Sequence, residues 1–346
     1  MNNSFQNDLS QYYSRQIILE ELGESGQKKL FNSKIGIIGV GGIGSISALY
    51  LALSGVNFLR LIDQDTVETN NLHRQVLYRE TDLRLPKVEV AKKRLSDINH
   101  NLKIDAISEN LRRSNVLEMI EGLDCVVDGL DNMSTRYILN EACVKLNIPY
   151  VYGGAIGLEG NVSVFNPPHT PCLRCIYPNL NDRDLPTCDT RGVIGATVGV
   201  IGTIQALESI KIISGIKGTL EGKLLFADLK TMDFVSIELK RNPNCSVCTD
   251  ISAPILTNEE NLTWFCGGDT INVNPASKLN LNLNVISDKI KNNYEILVNS
   301  PVIIVFLLSN GIEVSLFKQG RMLLKNIYDE SVALDVYRKI MSEIEP

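Results

Sequence analysis

The stretch KIGIIGVGGIG, residues 34–44, decides the fold. Its apolar run does not alternate with polar residues, which marks a strand buried on both faces, as in a parallel sheet. Gly39, Gly41 and Gly44, with Gly42 between them, satisfy G-x-G-x-x-G ahead of an expected helix over residues 44–53. Such a loop lets backbone N–H groups meet a phosphate at the positive end of the helix. FLRLID, residues 58–63, reads as the next strand. A carboxylate about 20 positions after the loop can accept from a ribose hydroxyl. Asp63 is placed for this, with Asp65 as the second candidate.

Working outward, helices are expected over residues 87–98 and 133–146, and strands in KIDAIS, DCVVDGL and IPYVYGG. This alternation gives a Rossmann-like, doubly wound α/β sheet. After Gly154 the strands GNVSVFN, KLLFADL and FVSIELK have hairpin character, around a buried helix over residues 195–214. The sheet is therefore expected to be mixed, parallel first and antiparallel later. Residues 7–30 read as short helices interrupted by Gly23 and Gly26. The polar stretch 249–261 marks a boundary, dividing a domain at 1–250 from a small α+β domain at 251–346. In the latter, VIIVFLL and IEVSLF flank Ser309-Asn310-Gly311, a hairpin signal. A closing helix is expected over 329–340. Residues 271–284 are Asn-rich but keep alternating apolar positions, so they are not assigned as disordered.

The chain has 346 residues and a formal net charge of −6. No Lys/Arg run offers the basic face that nucleic acids require, so a nucleic-acid partner is excluded. The polar start is not a signal peptide, and no stretch reads as a membrane span, so the expected location is cytoplasmic, with no membrane partner. Eight cysteines in such a protein point to metal ligands or reactive thiols rather than disulfides.

The residues beyond Asp63 discriminate between nucleotide chemistries. A glycine loop alone suits an NAD-dependent oxidoreductase. DTVETNNLHRQVLY and LPKVEVAKKRL, however, bring Asn71, Arg74 and Lys87, for which hydride transfer has no use. Cleavage of ATP between the α- and β-phosphates does need them, because charge builds on the leaving pyrophosphate and fixed cations offset it. Asp131 comes after the strand DCVVDGL, at the edge where such sheets bind ligands. It is the candidate Mg²⁺ ligand, or else the cap of the next helix. Asp128 is a weaker candidate within the apolar run.

Cys172/Cys175 and Cys245/Cys248 are two C-x-x-C knuckles far apart in sequence. Two such pairs make a tetrahedral, structural Zn²⁺ site with no open position. Cys188, in LPTCDTRGVIGA, has Arg191 nearby and precedes the buried helix, a setting that can activate a thiol.

Together these strings resemble the E1-like adenylyltransferases of the ThiF/MoeB/HesA family. YSRQIIL, GVGGIG, LIDQDTVETNNLHRQ, DGLDNMSTRYILN, PCLRCIY, TCDTRGVIGATVGVIG and RNPNCSVC occur in family order over about residues 10–250. The resemblance implies ATP-dependent adenylation of the C-terminal Gly-Gly carboxylate of a small ubiquitin-like, β-grasp protein. It implies that Asp63 holds the ribose, that Asn71, Arg74 and Lys87 bind phosphates, and that Asp131 serves Mg²⁺. It further implies that Arg15 is donated across a homodimer interface, and that Cys188 matches a cysteine some members use for a thioester or sulfur transfer. The departure lies at the C-terminus. The segment from about residue 260 is too short for the rhodanese domain of several relatives, and its expected role is docking a ubiquitin-like protein, an E2-like carrier or a sulfurtransferase. The competing functions are an NAD-dependent oxidoreductase, a non-catalytic E1-like scaffold, and adenylation of a different substrate such as a short peptide.

Overall fold

The computed structural model describes residues 11–186, 188–249, 262–264 and 269–344, without the side chains of Cys188 and Asp189. The chain divides into two units, one of residues 1–83 and 87–257, the other of residues 84–86 and 258–346.

In the first unit the strands are β1 (Lys34–Ile38), β2 (Phe58–Ile62), β3 (Lys103–Ile107), β4 (Cys125–Asp128), β5 (Tyr150–Ile156), β6 (Glu159–Phe165), β7 (Lys223–Asp228) and β8 (Asp233–Glu238). They form one sheet in the order β3-β2-β1-β4-β5-β6-β7-β8. β1 to β5 pair in parallel, and β5 to β8 are antiparallel. The fold is thus the mixed, Rossmann-like sheet that the sequence predicts. The strand order reverses direction between β1 and β4, which makes a crevice at their carboxyl ends.

The helices of this unit are α1 (Ser14–Ile17), α2 (Gly23–Asn32), α3 (Gly42–Leu53), α4 (Lys87–Ile98), α5 (Val116–Ile120), α6 (Met133–Leu146), α7 (Leu173–Ile176), α8 (Cys188–Arg191) and α9 (Gly195–Ser214). Gly26 does not interrupt a helix. It lies inside α2, where a Cβ would stand 2.8 Å from Leu22 Cδ1 and 3.3 Å from Ser214 Cβ. Its bare backbone lets α2 approach α9. By length and composition α9 alone, among the described residues, could cross a membrane. Its polar side chains instead serve the unit's interior. Gln205 Nε2 donates to the carbonyls of Asp128 (2.8 Å) and Val151 (3.1 Å), and Glu208 accepts from Leu220 N.

The second unit is a six-stranded sheet of order β11-β12-β13-β14-β10-β9. Its strands are β9 (Leu262–Trp264), β10 (Thr270–Val273), β11 (Glu295–Asn299), β12 (Ile303–Leu307), β13 (Glu313–Phe317) and β14 (Met322–Lys325). All its pairings are antiparallel, and β12 and β13 form the hairpin expected around Asn310-Gly311. α10 (Leu283–Ile290) and α11 (Glu330–Ile344) pack on one face, with Ile286, Ile290, Ile340 and Ile344 in the same cluster as Ile304, Phe306 and Leu316. The closing helix runs four residues further than the expected end at 340. α10 itself starts at the end of the Asn-rich stretch, where Asn282 accepts from Val285 N. That asparagine acts by its position as a cap, which composition alone does not reveal.

Candidate active site

The loop from β1 to α3 is shaped by the absence of side chains. Gly39 has φ +85°, and a Cβ on Gly44 would stand 1.9 Å from the Gly39 carbonyl oxygen. Gly41 is the N-cap of α3 and offers no side-chain cap, so the first N–H groups of a 12-residue helix remain available to an anion. Tyr78 Oη donates to the Val40 carbonyl (2.7 Å) and pins the loop. Gln75 is buried beside it, with Nε2 3.7 Å from where a Cβ on Gly41 would be. Neither residue stands out in the sequence, since a tyrosine or glutamine in a loop carries no pattern.

Asp63 sits at the end of β2. Its Oδ2 accepts from Val40 N (2.7 Å) and its Oδ1 from Asp65 N (2.7 Å), so the carboxylate is fixed against the glycine loop with lone pairs still free. Burial, then the neighbouring Asp65 charge, push its pKa up to about 6, although Lys87 and the two N–H groups oppose this. The structure gives Asp65 a different position, because its Oδ2 accepts from Lys87 Nζ at 2.8 Å. Lys87 is 5% exposed. Burial works against its charge, but Asp65 and Asp63 outweigh that and hold it firmly protonated. Two of its three ammonium hydrogens remain for a ligand.

Asn71 is buried, with Nδ2 donating to Asn70 Oδ1 (2.6 Å). Arg74 Nη1 donates to the Asn70 carbonyl at 2.5 Å. The start of α9 lies on this loop, since a Cβ on Gly195 would meet the His73 carbonyl oxygen at 2.7 Å.

Asp131 enters from the β4–α6 turn and is exposed. It is not the cap of α6. That place belongs to Asn132, whose Oδ1 accepts from Thr135 N (2.9 Å). Asp131 accepts only from the adjacent Asn132 Nδ2 (3.1 Å) among the described hydrogen bonds, which leaves an open carboxylate suited to Mg²⁺ with substrate phosphates. Asp128 is unsuited to this. It is fully buried and ion-paired to Arg136 Nε (2.9 Å), and it accepts from Tyr150 Oη (2.6 Å). Arg136 also donates to the carbonyls of Leu130 (2.6 Å) and Gly153 (2.7 Å), which holds the turn before Asp131. Removing either partner would strand a buried charge, which typically costs about 3–5 kcal/mol. The glycine loop, Asp63, Asn71, Arg74, Lys87 and Asp131 thus gather at one edge, around the β1/β4 crevice.

Arg15 lies elsewhere in its own chain. It is an exposed residue of α1, whose neighbour Gln16 donates to the Ser54 carbonyl (3.5 Å), beyond the C-terminal end of α3. The glycine loop is at the other end of that helix, about 18 Å away at 1.5 Å per residue. An arginine side chain cannot bridge that distance, so the structure does not bring Arg15 to the site within one chain.

Cys172, Cys175, Cys245 and Cys248 come together as expected from their spacing, with all four Sγ atoms within 4.8 Å of one another. Cys172 and Cys245 are 3.6 Å apart, and Cys175 and Cys248 3.4 Å. Tetrahedral Zn–S bonds of about 2.3 Å imply S···S separations of about 3.8 Å, so the cluster fits zinc closely. Arg241 Nε donates to Cys248 Sγ (3.4 Å), a cation beside the cluster. Burial foremost, then the neighbouring cysteines, holds the Cys172 thiol well above its ordinary value, a penalty that a bound dication would reverse. The backbone of Cys188 begins α8, but its side chain and Cys266 lie outside the described residues.

A family model, described as the ThiF family, matches residues 13–247. The chain is 43% identical over 266 residues to "Adenylyltransferase and sulfurtransferase MOCS3" of Aedes aegypti, covering 76% of this chain and 60% of that one. The protein of the same name from Culex quinquefasciatus is 43% identical over 256 residues, covering 73% and 58%. The chain therefore spans about three fifths of the length of these relatives. Among solved structures, Escherichia coli MccB with MccA-N7isoASN superposes with TM-score 0.63 at 27% identity, covering 72% of this chain and 77% of that one. MccB with ATP superposes with TM-score 0.59, also at 27% identity, covering 72% and 75%.

Proposed function

The chain belongs to the ThiF family, and from that premise we propose that it uses MgATP to adenylate the C-terminal glycine carboxylate of a small ubiquitin-like protein. The observation that carries this reading is the convergence of Asp63, Lys87 and Asp131 on one glycine loop. Neither an NAD-dependent oxidoreductase nor a non-catalytic scaffold needs all three.

ATP lies with its ribose hydroxyls on Asp63 and its phosphates over the first turn of α3. The terminal carboxylate of the ubiquitin-like protein is already ionised, so no general base is required. It attacks the α-phosphorus, the bond to the bridging oxygen breaks, and pyrophosphate leaves. Lys87 and Arg74 offset the charge that builds on the leaving group, with Asn71 as a neutral donor. Asp131 would hold Mg²⁺, which when bound neutralises phosphate charge. The chain's contribution is therefore mainly positioning and electrostatics.

The site is completed in a homodimer by the partner subunit's Arg15. Exposed Tyr12, Ile18 and Leu19 beside Arg15, and Tyr50 and Leu53 at the end of α3, supply apolar surface for that interface. Zinc held by the four cysteines is structural, tying the segment of α7 to the chain after β8. Cys188 receives the acyl group or takes part in sulfur transfer. The second unit docks a ubiquitin-like protein, an E2-like carrier or a sulfurtransferase. A peptide substrate is the second reading, supported by the likeness to MccB solved with MccA-N7isoASN. ATP–pyrophosphate exchange with a Gly-Gly-ended ubiquitin-like protein, compared with a short free peptide, separates the two.

A further inference from the structure

The N-terminus of α6 is closed by a residue that is remote in sequence. Asp182 Oδ1 accepts from Met133 N at 2.5 Å, and its Oδ2 accepts from Ser134 N at 3.0 Å and from Ser134 Oγ. With Asn132 taking Thr135 N, the first three N–H groups of the helix are all satisfied. Asn132 already serves as a complete local cap by the usual pattern, so Asp182 is an added clamp from a second segment. Charge-assisted bonds at the positive end of a helix are the strong kind.

Asp182 clamps the stretch between the zinc knuckle and Cys188. Tyr137 Oη donates to the Tyr177 carbonyl (2.8 Å) and accepts from Leu180 N (2.8 Å), fixing the approach to Asp182. At the last residue of α8, Arg191 pairs with Glu159 (2.9 Å), and just beyond it Gly157 N donates to the Gly192 carbonyl (2.8 Å). Asp182 stands six positions before Cys188. It grips Met133 and Ser134, which come directly after Asp131 and Asn132. The same turn thus carries Asp131 and anchors the Cys188 segment.

We propose that Asp182 is a positioning residue: by binding the first turn of α6 it anchors the stretch that leads into Cys188 to the turn that carries Asp131, where the acyl-adenylate is made. This rests on the reading of Cys188 as acyl acceptor. In that step the Cys188 thiolate attacks the acyl carbonyl, a C–S bond forms, and the C–O bond to AMP breaks. AMP leaves with the electron pair, and the thiol proton has gone to solvent.

The test uses the full chain with Asp182→Ala, and with Asp182→Asn, which keeps the side chain's shape. Three quantities are read: tryptic cleavage at the exposed Arg183 and Arg191, ATP–pyrophosphate exchange, and formation of a thiol-labile adduct with a Gly-Gly-ended ubiquitin-like protein. Losing several hydrogen bonds to a charged group should speed cleavage roughly 10-fold or more. Exchange should stay within about two-fold while adduct formation falls about 10-fold, the split that distinguishes positioning from general stabilisation. Unchanged cleavage, an unchanged adduct rate, or equal loss of exchange and adduct each overturns the proposal. If the wild-type chain forms no adduct, the acceptor role of Cys188 falls separately. The clamp is then judged on cleavage alone, where a faster rate upholds it and an equal rate rejects it.

Discussion

Gly39 and Gly129 meet backbone to backbone: a Cβ on Gly129 would stand 2.2 Å from the Gly39 carbonyl oxygen. This contact ties the glycine loop after β1 to the turn after β4 that carries Asp131. The candidate edge is therefore set by two glycines with no chemistry of their own.

Gly129→Ala is expected to force these loops apart. Overpacking of this kind costs about 1–3 kcal/mol, and a displacement near 1 Å at Asp131 should lower pyrophosphate exchange on the order of 100-fold. Thermal melting and exchange rates measured on the same preparation check this. An alanine variant of full activity would mean that the contact does not position Asp131.

The state of Asp63 gives a pH dependence. Its folded pKa is raised to about 6, chiefly by burial, above the ordinary carboxylate value of about 4. The carboxyl therefore contributes stability that is present below that ordinary value and is lost as pH rises through about 6. Asp63→Asn should remove this component from the stability–pH curve. Ribose binding needs the ionised form, so adenosine, which has no phosphate to titrate, should bind more tightly as pH rises from about 5 to about 7. In the Asn variant its affinity should be weak and flat. A wild-type affinity that falls over the same range would exclude the assigned role.

Removing a zinc ligand should loosen segments that are far apart in the chain. Freshly purified protein is expected to hold one zinc per chain. Cys172→Ser should lower the melting midpoint by roughly 5–15 °C, the shift expected for a few kcal/mol in a unit of this size. Elemental analysis and melting curves decide this, and zinc-free protein of unaltered stability would contradict it.

Sequence and structure agree most closely where a pattern is local. The strands from Lys34 and Phe58, the helices Lys87–Ile98 and Met133–Leu146, and the two cysteine knuckles all announce themselves by period or spacing. The features that stayed hidden depend on partners remote in the chain. Asp182 is an ordinary polar loop residue until Met133 and Ser134 are found beside it. Arg136 acquires meaning only through Asp128, Leu130 and Gly153. Sequence spacing ranks Asp65 behind Asp63 for the ribose but gives no sign that its carboxylate is engaged by Lys87.

The position of Arg15 at the far end of α3 leads to a complementation test. Arg15→Ala and Asp131→Ala are each expected to be inactive as homodimers. A mixed dimer holds one site with both defects and one with neither. Co-purified mixed dimers should thus recover part of the wild-type exchange rate. Mixed dimers as inactive as the parents would rule out a shared site.

The central claim is adenylation at the edge that carries Asp131, and pyrophosphate exchange into ATP measures it directly. With a Gly-Gly-ended ubiquitin-like protein present, the wild-type chain should exchange. Asp131→Ala should lose at least about 100-fold in rate while its melting curve stays close to wild type, because the side chain is exposed and no cap is lost. No exchange by the wild-type pair, or a full rate from a folded Asp131→Ala variant, would contradict the account.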